Sequence, residues 1–200
     1  MNFWDFCAPI YDIAEKTNGK AYDGMIKAIA NLVSVGDMVL ECAAGTGSVS
    51  IGCADKAKQV LCTDMSSNML KVARMKAKKK NISNISFSEC DIYNIDQLDN
   101  SYEVVIASQV LHLLDNPEKA AEELKRVSSK LVVVPLTLLE NIKLFERVKV
   151  KIWKILGFSP KHNFGAESYK KFLCDIGLSP NNYTIVDGKM PMAVAVWSKM

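Results

Sequence analysis

Short apolar runs alternate with helix-periodic stretches along most of the chain, and few folds accommodate that rhythm. Five runs read as buried strands: Met38 to Cys42, Gln59 to Thr63, Ile85 to Ser88, Glu103 to Ala107 and Lys130 to Pro135. Each is short and mostly apolar, with a helical segment expected between successive members. That is the pattern of parallel strands covered on both faces. Ahead of them, Ala21, Met25, Ile29 and Val33 recur at helical spacing before the turn Ser34-Val35-Gly36-Asp37, so a helix precedes the first strand. Behind them, a helical stretch near Glu167 to Cys174 leads to two runs, Tyr183 to Val186 and Ala193 to Trp197, joined by Asp187-Gly188-Lys189. A turn of that kind closes a hairpin. The expectation is a doubly wound α/β fold: a mostly parallel seven-stranded sheet ending in an antiparallel hairpin.

At 200 residues the chain fits one domain, and a chain of this size buries about 70% of its unfolded surface without staples. Apolar residues at 49% and charged residues at 24% are globular proportions, outside the disordered and collagenous classes. A net charge of +3 is too small to argue for nucleic acid without a concentrated basic face. Cys7, Cys42, Cys53, Cys62, Cys90 and Cys174 form no C-x-x-C pair and read as reduced core thiols. With His112 and His162 far apart, no metal is expected. The N-terminus carries Asp5 where a signal peptide would be basic, and no run has the length of a membrane span, so the expected location is cytoplasmic.

The chemistry gathers at strand ends. After the first strand, Glu41-Cys42-Ala43-Ala44-Gly45-Thr46-Gly47-Ser48 is a run of small residues that lets the backbone turn tightly and approach a ligand as a helix begins. It could equally be only a packing turn. The second strand ends at Asp64, where a doubly wound sheet binds ligands, and two carboxylate oxygens can accept from both hydroxyls of a ribose. Asp64 could instead cap the helix starting near Ser66 or Ser67, although Ser66 can do that itself. The third strand leads to Glu89-Cys90-Asp91-Ile92. Asp91 could accept from an adenine amine while Ile92 packs on the ring, or it could be a solvated loop acid.

These residues resemble the class I S-adenosylmethionine-dependent methyltransferases, and within them the small-molecule branch similar to ubiquinone and menaquinone biosynthesis methyltransferases. The loop Glu41 to Gly47 matches the family's acidic-x-Gly-x-Gly-x-Gly signature, with Ala43 standing where the first glycine is usual. Val104 to Ala120 is similar to the family's fourth strand and next helix, with Pro117 at a first helical turn. Ala8-Pro9-Ile10-Tyr11-Asp12 looks like the family's N-terminal cap. Val127-Ser128-Ser129-Lys130-Leu131 departs from the usual Lys-Pro-Gly-Gly turn. The resemblance implies a Rossmann-like domain over residues 1–200, with 1–36 as a helical cap, S-adenosylmethionine as cofactor and a small-molecule acceptor. It implies Tyr11 over the cofactor, Glu41 facing its methionine end, Ala43, Gly45 and Gly47 admitting it, and Asp64 on the ribose. Met65, Asp91 and Ile92 would hold the adenine, and Ser108 and Gln109 the methionyl part. His112 could be a general base or a structural residue; catalysis is left unassigned, since in-line displacement at the sulfonium methyl requires no nucleophilic side chain.

Two other functions share part of these features. Gly45-Thr46-Gly47-Ser48-Val49-Ser50 approximates the dinucleotide fingerprint of a nicotinamide-dependent oxidoreductase, but Ser50 stands at its last glycine and Glu41 precedes it. Lys71, Arg74, Lys76, Lys78, Lys79 and Lys80 suggest a nucleic-acid module; no aromatic interleaves with them, and a solvated helix face explains them better. A silent cofactor-binding protein also fits. Glu140 to Gly157 reads as a basic amphipathic helix. It could be sheet cover, a membrane-surface contact, or an acceptor lid over 140–165 with Trp153 and Phe158 as its aromatics. Oligomeric state is not readable.

Overall fold

β-Branched and aliphatic residues dominate the strands because a sheet covered on both faces offers them apolar neighbours on either side. The computed structural model describes residues 3–8, 11, 18–140, 142 and 161–199. In chain order they form α1 (Phe3–Cys7), α2 (Gly19–Ala30), β1 (Met38–Cys42), α3 (Ser48–Cys53), β2 (Gln59–Asp64), α4 (Ser67–Lys79), β3 (Ile85–Glu89) and β4 (Tyr102–Ala107). A 3-10 turn (Leu111–Leu113), α5 (Pro117–Val127), β5 (Ser128–Thr137), α6 (Ala166–Asp175), β6 (Asn182–Val186) and β7 (Met192–Ser198) complete them.

The seven strands make one sheet in the order β3-β2-β1-β4-β5-β7-β6. β1 pairs in parallel with both β2 and β4, so the chain winds outward one way through β3 and then returns to wind the other way. That reversal between β1 and β4 is the switch point at which open sheets leave a crevice beyond their carboxyl ends. β7 pairs antiparallel with both β5 and β6. The expected hairpin is present, and its second strand is inserted beside β5.

Alternation along β1 and its neighbours divides the core. Leu40, Val105, Val132 and Val134 face α5 and α6 through Ala120, Ala121, Leu124, Tyr169 and Leu173. Val39, Val60, Val104, Ile106 and Val133 face α2 and α3 through Ala21, Met25, Ile29, Val49 and Cys53. Cys62, two residues on from Val60 and so on the same face, packs with Leu70 and Ala73 of α4. Each large aliphatic side chain buried in this way is worth roughly 1.5–3 kcal/mol. Local signals set the helix ends: Ser66 caps α4 by accepting from the Met69 N–H at 3.1 Å, and Asn116 caps α5 by accepting from the Lys119 N–H at 3.0 Å with Pro117 in the first turn.

One expected element is absent. Residues 90–101 join β3 to β4 without a helix. Arg126 of α5 secures that loop, donating to Asp99 at 2.8 Å, to the Ile95 carbonyl at 2.7 Å and to the Gln97 carbonyl at 2.8 Å, while the Ile95 N–H donates to Glu123 at 2.8 Å. A guanidinium with five donors satisfies the backbone groups that a helix would otherwise pair internally. Among the described residues no helix is long and apolar enough to cross a membrane. The stretch assigned to a basic amphipathic helix lies outside the described residues apart from Glu140 and Ile142, as do Trp153, Phe158, Pro9, Ile10 and Asp12.

Candidate active site

The loop after β1 turns through three left-handed residues: Ala43 (φ 51°), Gly45 (φ 55°) and Gly47 (φ 71°). Its backbone is tied to β2, since the Ala44 N–H donates to the Thr63 carbonyl and the Gly45 N–H to Asp64 Oδ2, both at 2.8 Å. The two glycines do different work. A Cβ on Gly45 would meet only Tyr11 Cε1, at 3.8 Å, so this backbone faces open space beneath the tyrosine ring. A Cβ on Gly47 would stand 2.9 Å from the Ala73 Cβ, so Gly47 lets α4 approach the loop. Ala43 holds its left-handed conformation at a cost of about 1–2 kcal/mol. Ala43→Gly is therefore expected to raise the free energy of unfolding by about 0.5–1 kcal/mol, the relieved strain exceeding the entropy that glycine adds to the unfolded chain. A denaturant midpoint no higher than the parent's would contradict that strain.

Asp64 closes β2 and organises the loop. Its Oδ2 accepts from Gly45 and its Oδ1 from the Ser66 N–H at 2.8 Å. Because Ser66 caps α4, Asp64 is not needed for capping. Burial pushes its carboxyl above the usual range, against the pull of the Ser66 and Gly45 N–H groups. A carboxylate has about four acceptor positions, so capacity remains for a pair of ligand hydroxyls.

Beside this loop, at the carboxyl ends of β1, β2 and β4, lies a cavity of about 200 Å³. Of the residues picked out from sequence, Tyr11, Ala43, Gly45, Asp64, Met65, Ile92, Ser108 and Gln109 line it. Gln109 also staples the site to β5: its Oε1 accepts from the Thr137 N–H and its own N–H donates to the Pro135 carbonyl, each at 3.0 Å. Its backbone is left-handed (φ 56°).

The other three stand elsewhere. Gly47 is in the α3–α4 contact. Asp91 is exposed and its Oδ1 accepts from the Tyr93 N–H at 2.9 Å. Glu41 is buried behind the loop, its Oε2 accepting from the Ser50 N–H at 2.7 Å and the Ser50 hydroxyl at 2.5 Å. Burial raises its carboxyl from 4.5 to about 7 despite the two Ser50 bonds. His112 is buried in the 3-10 turn and does not line the cavity; burial, then the nearby His162, lowers it to about 4, so it is neutral at pH 7.

Sequence reasoning missed Trp4, Met69, Cys90, Val110, Leu113 and Leu114, which complete the walls. Most of them read as ordinary core residues because nothing local distinguishes an apolar wall from an apolar interior. Tyr93 was missed too. Its hydroxyl oxygen accepts from the Asp115 N–H at 3.0 Å and the Asn116 N–H at 3.2 Å, holding the loop of Ile92 against the turn of Leu113 and Leu114.

Comparison with known proteins bears on this geometry. Residues 39–130, which contain the loop, Asp64 and the cavity's β4 wall, match the methyltransferase domain family. A demethylmenaquinone methyltransferase of Paenarthrobacter aurescens is 34% identical over 62% of this chain and 49% of its own length. A ubiquinone/menaquinone biosynthesis C-methyltransferase of Bdellovibrio bacteriovorus is 35% identical over 46% of this chain and 40% of its own. The chain thus spans half or less of the length of these curated relatives. A methyltransferase of Haloferax volcanii, solved with a methyltransferase activator, superposes with a TM-score of 0.76 over 98% of both chains at 15% identity, a likeness of fold. With the matched segment spanning the strand-end loop, Asp64 and the switch point of the sheet, residues 39–130 are similar to the methyltransferase domain, and the chain resembles the methyltransferases of ubiquinone and menaquinone biosynthesis.

Proposed function

We propose that the protein transfers the methyl group of S-adenosylmethionine to a small, largely apolar acceptor. The observation that carries this reading is the cavity itself: a left-handed loop with open backbone at Gly45, Asp64 on its rim, and apolar walls from the segments that follow β3 and β4 and from Trp4 and Tyr11. The residues fit the cofactor. Asp64 would hold the ribose hydroxyls, Met65, Cys90 and Ile92 would pack the adenine, and Ser108 would line the methionyl part. Gln109, whose carbonyl oxygen is taken by Thr137, acts there mainly through its position.

When bound, the sulfonium supplies an activated methyl group. The chain contributes alignment and exclusion of water, which can provide most of the acceleration for such a displacement. Trp4 and Tyr11, 6.3 Å apart edge to face, would cover the cofactor, and Leu113 and Leu114 would turn an apolar surface to the acceptor. Relatives named for demethylmenaquinone and ubiquinone support a ring-bearing acceptor of that character. No base is assigned, so the acceptor atom would be nucleophilic once its own proton is lost to solvent.

Titration calorimetry tests the cofactor: S-adenosylmethionine and S-adenosylhomocysteine are expected to bind and NADH is not. Tight NADH binding with no response to the sulfonium would favour the oxidoreductase reading. Structure also opposes that reading. Ser50, where the dinucleotide fingerprint has its last glycine, is fully buried and committed to Glu41.

A further inference from the structure

Tyr93 joins two walls of the cavity that the chain builds from separate loops. Its neighbour Ile92, with Cys90, lines the side that follows β3, and Leu113 and Leu114 line the side that follows β4. The half-buried Tyr93 reaches from the first loop to the end of the second, where its hydroxyl oxygen accepts from the Asp115 N–H at 3.0 Å and the Asn116 N–H at 3.2 Å. These two donors stand just ahead of α5, outside the helix's own ladder, and a phenol oxygen can accept from both. Each end of the clasp is itself fixed. On the β3 side Asp91, expected from sequence at an adenine, accepts instead from the Tyr93 N–H at 2.9 Å, and the Asn94 N–H donates to the Asp91 carbonyl at 3.0 Å, so this acid sets the turn that presents the phenol. On the α5 side the Lys119 ammonium lies 5.9 Å from the centre of the Tyr93 ring. Asp115 pairs with Lys161, whose N–H donates to the His112 carbonyl at 3.1 Å. A run of contacts thus leads from Ile92 through the phenol to Lys161, which does not line the cavity.

Hydrogen bonds between neutral groups at a half-buried position are individually modest, so such a clasp opens and closes, and whatever holds either wall in place biases it. Resting on the cofactor reading above, we infer that Tyr93 is a positioning residue that couples the two halves of the site: a ligand seated against Cys90 and Ile92 closes the clasp, and the closed clasp sets Leu113 and Leu114 for the acceptor. Tyr93 is not among the residues that line the cavity, so it acts through its neighbours and not on the reacting atoms. The coupling is reciprocal. An acceptor pressed against Leu113 and Leu114 in turn tightens the hold on the cofactor. The acceptor wall is then assembled by the cofactor, which favours entry of the cofactor first.

Backbone amide exchange followed by NMR tests this, with S-adenosylhomocysteine saturating so that differences in affinity do not enter. In the parent the ligand is expected to slow exchange at Asp115, Asn116 and Lys161 by about tenfold or more. Tyr93→Phe keeps the ring and removes the acceptor. That variant should retain the slowing at Cys90, whose N–H donates to the Asp64 carbonyl, and lose it at Lys161, to less than about twofold. Asp91→Ala keeps the phenol but frees the turn that presents it, and it should show the same loss in smaller measure, which carries the test if the phenylalanine variant does not fold. A tyrosine that merely props up the fold would speed exchange with and without ligand and leave the ligand's slowing at Lys161 intact. Full slowing at Lys161 in either folded variant, or none there in a parent that binds the ligand, would overturn the inference and leave the cofactor reading standing. If the parent does not bind S-adenosylhomocysteine, both fall together.

Discussion

Asp64→Ala is expected to weaken S-adenosylmethionine and S-adenosylhomocysteine about 30- to 1000-fold, the largest single effect foreseen for this site. Two charge-assisted hydrogen bonds to a ribose diol are together worth about 2–4 kcal/mol. The structure adds a second route to the loss, since the same carboxylate holds the Gly45 and Ser66 N–H groups at 2.8 Å. Without it the loop would lose its tie to β2 on that side. A cycle against a ligand lacking the 2′-hydroxyl distinguishes the two routes. If Asp64 bonds the diol, removing the hydroxyl should weaken the parent about tenfold and scarcely affect the variant. Additive losses would assign Asp64 to loop support alone, and binding of the natural ligand within about twofold of the parent would remove it from the site.

Glu41 is expected to set how stability varies with pH. Burial raises its carboxyl from 4.5 to about 7, the Ser50 bonds opposing that shift. A folded-state value above the unfolded one means that between these limits the native state keeps a proton the unfolded chain releases. Stability should therefore fall as pH rises through that window. At about 1.4 kcal/mol for each tenfold change in proton affinity, the loss above pH 7 is on the order of 3 kcal/mol. Glu41→Gln has no charge to bury, and its oxygen can still accept from the Ser50 N–H and hydroxyl. The variant should exceed the parent by about 1–3 kcal/mol near pH 8, the range allowing for the amide hydrogens it must place. The two should converge near pH 5. Denaturant midpoints measured from about pH 5 to 8 check this: parallel curves for parent and variant would show that Glu41 is not the titrating group. A buried acid that destabilises the fold at neutral pH makes sense behind a loop proposed to receive a cationic cofactor, so on that reading the more stable variant is expected to bind the cofactor less tightly.

Much of the fold was legible. The strand Met38–Cys42 was read to the residue, and the other strands are longer by one or two residues at one or both ends, because alternation of apolar side chains marks a strand's middle better than its ends. The helix starts were also local: Ser66 and Asn116 cap the N-termini of their helices with their own side chains. By contrast, the helix expected between β3 and β4 is missing because Arg126, 25 or more residues away in sequence, satisfies that loop's carbonyls.

Glycine spacing and strand-end acids drew attention to Gly45 and Asp64, and the structure sets both around one cavity. It sets Asp91 and Glu41 elsewhere, since an acid's position along a strand does not reveal which neighbour its oxygens will find first; for Glu41 that neighbour is Ser50, nine residues on. Trp4 and Leu114 share a wall although 110 residues separate them, and no local pattern connects them.

Periodicities, caps and the small-residue loop, and with them a doubly wound sheet with a tight loop after its first strand, follow from the order of residues alone, because they depend on backbone conformation and near neighbours. The insertion of β7 between β5 and β6, the tie of Gln109 to β5 and the placing of Asp5 beside Asp64 by Ser66 emerge in the packed molecule. Those outcomes depend on hydrogen bonds between groups far apart in the chain, which compete for partners only once the layers have packed.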